Sequence, residues 1–381
     1  MSALHDVLAK QTGPGRAPGA VGLVARGDRT EVSAAGFADT AGTVPMSRDS
    51  VFRLASLTKP VTAAAVMVLL EEGRFALEDP VADWLPELAS PVVVRRPSGP
   101  ADDVVPASRP VTVLDLLTFR AGYGFPSDFE LPAVKLLFSE LDFSPMEPQR
   151  AAPPDEWMAR LSRVPLLHQP GEGWLYHVCS DIQGVLVARA SGMQLHEFLA
   201  ERLFEPLGMS DTGFHVPAGK LGRFTGLYRA GPDGTEPADA PEGQWSSLPA
   251  FPSGGGGLVS TADDWHAFAR MLLAGGSAGG RRLLSPESVR LMTTDHLTPA
   301  QREQGALFLE GQGWGFGGSV DVERRDPWNV PGRYGWVGGS GTAGHIVPAT
   351  GTVTLLLTQL ELTSPVAPEG MRDFWRYAAE V

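Results

Sequence analysis

The chain has 381 residues, with 31 lysines and arginines against 44 aspartates and glutamates, for a formal charge of −13. That length buries a large core in one big domain or two lobes, and 43% hydrophobic with 20% charged residues excludes a disordered chain. The acidic balance repels phosphate backbones and anionic lipid, so neither nucleic acid nor a membrane is an expected partner.

In chain order, Leu4, Val7 and Leu8 fit a short amphipathic helix. Met1–Gln11 lacks the basic start and apolar run of a secretory signal, and Cys179 is the single cysteine; both point to a cytoplasmic location without an internal disulfide. Ala20–Arg26 and Arg29–Ala34 read as strands joined by a Gly27-Asp28 turn. Val61–Leu70 reads as a buried, Ala-rich helix closed by Gly73, too short to span a bilayer. Glu71 and Glu72 sit at the wrong end of it for the helix dipole. Pro91 to Pro110 is rich in Pro, Arg, Asp and Ser and reads as an ordered surface loop near a lobe boundary.

Capping patterns predict helix starts at Thr112, Ser180 and Thr261, the second helix ending at Gly192. Trp336–Val337, His345–Val347 and Val353–Thr358 are strand-like runs, followed by a last helix over Glu369–Glu380. Strand pairs at both ends around a helical middle predict an α+β fold (an α/β sandwich). In it one mainly antiparallel sheet, formed by both chain ends and flanked by helices, carries an inserted helical lobe. Residues 1–78 and 206–381 form the sheet lobe in this reading, residues 79–205 the helical lobe, and the active site lies between them.

The chemistry starts at Phe-Arg-Leu-Ala-Ser-Leu-Thr-Lys-Pro, residues 52–60. Ser56 falls at a helix start, and Lys59, three residues on, shares its face. The amine can approach the hydroxyl while the helix dipole favours negative charge on that oxygen, the setting of an activated nucleophile. A bare Ser-x-x-Lys also arises by chance, with the serine as an N-cap and the lysine in solvent. Other motifs accompany it: Val111–Leu117 with Thr118 to Gly122, Glu205–Met209, Asp211–Phe214 and Gly256–Asp264. With these the chain resembles the serine β-lactamase and penicillin-binding superfamily, and within it the class C β-lactamase-like esterases, or family VIII carboxylesterases.

The resemblance implies roles for further residues. The family's Tyr-x-Asn element falls on Trp174–Asp181, so Tyr176 would exchange a proton with Ser56 and then with the leaving group, paired with Lys59; Val178 stands in the place of the asparagine. The Lys-Thr-Gly element falls on Gly335–Gly339, where Trp336 and Val337 offer neither cation nor hydroxyl to a carboxylate. By the same resemblance the Gly339 N–H would join that of Ser56 as the oxyanion hole, beside Gly338. Tyr123 falls where the family brings a loop over the pocket. Tyr123, Val178, Trp336, Val337 and Gly338 are thus the candidate substrate contacts, and Trp157, Trp174 and Trp314 candidate aromatic walls.

The eight histidines are dispersed, so no metal is called for, and no cofactor either. His177 and His345 lie close in sequence to the proposed site elements, which leaves a pocket-lining role open to both, though a packed structural role is favoured; Cys179 reads as a small buried residue. Gly339–Gly344 fits Gly-x-Gly-x-x-Gly and nearly a nucleophile elbow at Ser340, but no helix follows. The resulting expectation is a serine carboxylesterase that hydrolyses small to medium acyl esters through a Ser56 acyl-enzyme. A weak β-lactamase, a D-amino-acid peptidase or amidase and an acyltransferase would use the same site, and a non-catalytic ligand-binding relative is the rival from another class. The motifs carry no signal for oligomeric state.

Overall fold

Along Gly19–Arg26 (β1), Val21 and Leu23 turn to one face while Ala20 and Val24 turn to the other, and all four are buried. A strand covered on both faces belongs inside a sheet. In the computed structural model, which describes residues 2–232 and 234–381, it pairs on both sides. The other strands are β2 (Arg29–Gly36), β3 (Gly313–Trp314), β4 (Ser319–Val320), β5 (Tyr334–Gly338), β6 (Thr342–Val347) and β7 (Thr352–Thr358). Their order is β3-β4-β5-β6-β7-β1-β2, antiparallel throughout, and the β7–β1 seam joins the two chain ends in a register set by Val21↔Leu357 and Leu23↔Leu355.

Five of the helices are α1 (Ala3–Ala9), α2 (Thr58–Glu71), α3 (Val178–Ser191), α4 (Ala262–Leu273) and α5 (Glu369–Glu380). α1 and α5 cover one sheet face, where Leu4, Leu8, Phe374 and Trp375 meet Ala20, Val24 and Leu356. α2 lies on the other side, and every residue from Thr58 to Leu69 is buried, so it has no solvent face. One continuous core runs from Leu23 and Leu355 of the sheet through Val66 of α2 to Leu116, Phe119 and Ile182 of the helical middle. The mixed α/β architecture, a large antiparallel sheet with flanking helices, is the predicted one.

The caps at Thr112 and Thr261 form as predicted, each side chain accepting from the backbone N–H three residues on. Two expectations fail. Pro91 to Pro110 contains a strand ribbon, Val92–Val94 against Val104–Pro106, because its valines pair across the loop and also bond Leu166. The helix placed at Ser180 starts two residues earlier, at Val178, and Ser180 is buried inside its first turn. Glu71, misplaced for its own helix, accepts at 2.6 Å from the backbone N–H of Ser285, the residue that caps the distant helix Pro286–Met292. Among the described residues no helix is long and apolar enough to cross a membrane.

Candidate active site

Ser56 stands in a single 3₁₀ turn, Ala55–Leu57, that feeds directly into α2. To make that entry Ala55 takes φ 46°, a left-handed conformation costing about 1–2 kcal/mol for a residue with a Cβ. The surroundings hold it there. Leu54 N–H donates to Leu258 O at 2.8 Å, while the Ser340 and Thr342 hydroxyls donate to the carbonyls of Arg53 (2.6 Å) and Leu54 (2.8 Å). Gly338 lets the turn after β5 approach this closely, since a Cβ there would sit 2.2 Å from Thr342 Oγ1 and 2.3 Å from Leu54 O.

Two polar side chains converge on the serine. Lys59 Nζ and Tyr176 Oη both lie 2.9 Å from Ser56 Oγ. Lys59 Nζ also donates to Gly255 O at 2.6 Å and meets His177 Nδ1 at 3.1 Å. The indole N–H of Trp336 donates to Tyr176 Oη at 2.6 Å. Behind His177, Nε2 lies 3.3 Å from Asp181 Oδ2, and Asp181 Oδ1 accepts from the Ser253 hydroxyl (2.6 Å) and the Gly255 N–H (2.9 Å).

Burial sets the protonation states. Lys59 has no exposed surface, and desolvation lowers its pKa to about 7 against the opposing pull of the Asp181 charge. Tyr176 moves the other way: burial raises it to about 12, although hydrogen bonds with Ser56 and Trp336 work to lower it. His177 is lowered by burial and by the Lys59 charge, so it is neutral. Burial penalises the Asp181 carboxylate, but the bonds from His177, Ser253 and Gly255 outweigh that and its pKa falls. Near neutral pH the amine is therefore the member of the Lys59–Tyr176 pair available as a base, while the phenol keeps its proton.

Ser56 opens into a cavity of about 310 Å³ lined by Phe125, Phe143, Met146, Phe308, Val337 and Leu362, among others. No lysine, arginine, aspartate or glutamate is among the described lining residues. Gly339 faces the cavity too. The Gly338 carbonyl is bonded by the Gly341 N–H at 2.9 Å, which turns the Gly339 N–H of that planar peptide to the opposite edge.

Of the residues singled out in the sequence, Ser56, Lys59, Tyr176, Trp336, Val337 and Gly339 come together here. Tyr123 and Val178 do not: both are buried in the main core and neither lines the cavity. Gly338 also stays out of the lining, serving the close approach to Leu54. Trp174 and Trp314 pack around the Tyr176 ring at 6.0 and 6.4 Å, whereas Trp157 stacks on Phe251. His345 lies under α5 against Trp375, and Cys179 is buried with its thiol pushed up to about 12.

His177, for which the sequence left a pocket-lining role open but favoured a packed one, lines the cavity; what the sequence reading missed is its contact with the lysine. Its i, i+4 spacing to Asp181 was the available signal. No sequence signal separates the cavity aromatics Phe125, Phe143 and Phe308 from core residues, since both settings favour the same side chains.

Residues 4–373 match the family described as Beta-lactamase. An uncharacterized protein of Mycobacterium tuberculosis is 39% identical over 350 residues, covering 90% of this chain and 85% of its own. Esterase EstB of Burkholderia gladioli is 33% identical over 368 residues, 90% of this chain and 86% of its own. Among solved structures, EstCE1, described as a hydrolase with promiscuous acyltransferase activity, superposes with a TM-score of 0.80 at 25% identity over 99% of this chain and 97% of that one.

Proposed function

The chain belongs to the Beta-lactamase family and is a serine hydrolase, and from that premise we propose that it is a carboxylesterase acting on neutral esters with small to medium acyl groups. One observation carries the reading: Ser56 Oγ is met by Lys59 Nζ and Tyr176 Oη, each at 2.9 Å, on the floor of an apolar cavity. In the proposed reaction the Lys59 amine takes the Ser56 proton and Oγ bonds to the ester carbonyl carbon. The N–H groups of Ser56 and Gly339 hold the resulting oxyanion, with one such donor contributing about 2.7–4 kcal/mol. The ester C–O bond then breaks, the Lys59–Tyr176 pair returns the proton to the departing alcohol, and water releases the acyl group by the same steps.

The lining supports neutral substrates. A carboxylate-bearing β-lactam or peptide end finds no cation among the described lining residues, and Trp336 and Val337 present apolar surface instead. The division into lobes 1–78 with 206–381 and 79–205 belongs to the same proposal, with Ser56 and Gly339 on one side and Tyr176 on the other. So does a cytoplasmic location, for which the single, buried Cys179 is the support. Acyl transfer to an alcohol is the second reading, favoured by the likeness to EstCE1.

The test is hydrolysis of p-nitrophenyl acetate, butyrate and octanoate by the wild type and Ser56→Ala. Serine-dependent turnover is expected, with a fall of at least about 10³-fold in the variant. Equal rates in the two proteins would refute the mechanism. Adding a primary alcohol to the same assay separates hydrolysis from transfer through the ratio of acid to new ester.

A further inference from the structure

A neutral amine has two N–H donors and one lone pair, and Lys59 Nζ has three polar neighbours. Gly255 O, at 2.6 Å, can only accept, so it takes one N–H. If His177 Nδ1, at 3.1 Å, accepts the second, the lone pair is left facing Ser56 Oγ at 2.9 Å, where it can receive the serine proton. If Nδ1 instead carried a hydrogen, two donors would face each other and the amine would turn its lone pair toward the imidazole.

The far side of the ring decides between these cases. Nε2 faces Asp181 Oδ2 at 3.3 Å, and an ionised carboxylate only accepts, so the ring proton resides on Nε2 and the lone pair on Nδ1. Asp181 is in turn fixed by the Ser253 hydroxyl and the Gly255 N–H, both on Oδ1. Gly255 thus grips the lysine with its carbonyl and the aspartate with its N–H, tying both ends of the relay to one residue.

We infer that His177 is a positioning residue for the base: its Nδ1 accepts one Lys59 N–H and so aims the amine lone pair at Ser56, with Asp181 fixing the imidazole tautomer. The inference rests on the reading of Lys59 as the base. Backbone strain supports it. His177 has φ 82° and ψ −69°, with the Val178 N–H bonded to Tyr176 O at 3.3 Å, a γ-turn of the rare, strained sense. That turn brings two consecutive side chains, Tyr176 and His177, to one serine–lysine pair. Packing between Phe125 and Phe143, at ring distances of 5.6 and 5.0 Å, would be served by any aromatic ring without a buried aspartate behind it.

The charged and titratable groups facing the imidazole and the amine are Lys59 from α2 and Tyr176 and Asp181 from the 176–181 segment. Phe125, Phe143, Ser253 and Gly255 complete the surroundings and bring no charge.

The experiment compares His177→Phe, His177→Asn and Asp181→Asn by kcat, KM and pH profile on p-nitrophenyl butyrate, with Lys59→Met alongside. Phe keeps a ring and removes the acceptor, and kcat is expected to fall about 10–100-fold with KM little changed. Its acid limb should move to lower pH, because the ammonium form loses a charge-assisted acceptor. Asn places an amide oxygen near Nδ1 and should recover most of kcat. Asp181→Asn keeps Oδ1 for its two donors and turns an N–H to Nε2, forcing the opposite tautomer, so its loss should match or exceed that of Phe. Wild-type kcat and pH profile in His177→Phe, or equal impairment of Phe and Asn, would overturn the inference. If the Phe variant does not fold, Asn against Gln makes the same comparison, since Gln places its amide near Nε2. Retained turnover in Lys59→Met would defeat the base reading itself, and the inference with it; loss there beside an unaffected His177→Phe defeats the inference alone.

Discussion

Two segments meet at Ser56 and are held in different ways. The nucleophile turn, Arg53–Lys59, is clamped through its main chain: Leu258, Ser340 and Thr342 bond the backbone of Arg53 and Leu54, and Gly338 packs against it. The Tyr176–Asp181 segment has one main-chain anchor, Tyr176 paired with Phe125 at 2.9 and 3.0 Å, and its reactive groups are held through side chains, by Trp336 on the tyrosine and by Lys59, Ser253 and Gly255 on the His177–Asp181 pair. A backbone clamp places one atom, Ser56 Oγ, and leaves it little freedom. A side-chain relay sets where protons reside. Damage to the first should therefore act on geometry and be severe, while damage to the second should be graded and depend on pH.

The largest contrast is expected from Gly338→Ala. The new methyl would lie 2.3 Å from Leu54 O, a main-chain atom two residues before the nucleophile, so the turn must shift. Overpacking of this kind costs about 1–3 kcal/mol of stability, and displacement of the nucleophile by even about 1 Å costs roughly 10²-fold in rate. Urea unfolding together with kcat/KM checks both effects. Wild-type values for both would mean that the clamp does not set the position of Ser56.

The relay predicts a pH signature of intermediate size. With Lys59 lowered from 10.5 to about 7, the amine is neutral above pH 7 and charged below it. Esterase kcat/KM should then fall by about tenfold per pH unit on the acid side. Stability carries the same signature. Between the two pKa values the unfolded chain binds a proton at Lys59 that the folded chain does not, so stability rises with pH, by about 1.4 kcal/mol per unit at most. The raised Cys179 and Tyr176 groups oppose this only above their ordinary values, near 9 and 10. Urea midpoints from about pH 7.5 to 8.5 isolate the lysine, and Lys59→Met should flatten the slope. An unchanged slope in the variant would show that the folded lysine keeps its proton.

The same contrast governs what the sequence revealed. Ser56 and Lys59 lie three apart where a single 3₁₀ turn runs straight into α2, and the strands Gly19–Arg26 and Thr352–Thr358 are apolar runs buried on both faces, so spacing and apolar runs find them. The segment at Tyr176 breaks periodicity. A γ-turn at His177 starts α3 two residues before its apparent cap at Ser180 and brings adjacent residues to one site, so His177 read as a packed ring. Val178 drew notice because of the asparagine it replaces, yet it is core. The cavity wall was illegible for another reason: Phe125, Phe143 and Phe308 come from loops and a short helix far apart in the chain, and only the folded chain gathers them.

The smallest effect is expected from Trp336→Phe, and it decides whether Trp336 belongs to the relay or to the wall. The indole lines the cavity and also donates to Tyr176 Oη at 2.6 Å, a bond that favours the phenolate against the burial that raises its pKa to about 12. Phe keeps an aromatic surface and removes that donor. A lost hydrogen bond of this type is worth about 0.5–1.5 kcal/mol, or roughly 2–12-fold in rate. If the indole acts through Tyr176, kcat falls by the same factor for acetate, butyrate and octanoate esters, because the proton-handling step does not depend on acyl length. If it acts as wall alone, kcat stays put and KM changes with chain length, as the reshaped cavity favours one acyl group over another. A uniform loss ties Trp336 to the tyrosine, and a length-dependent change in KM removes it from the relay.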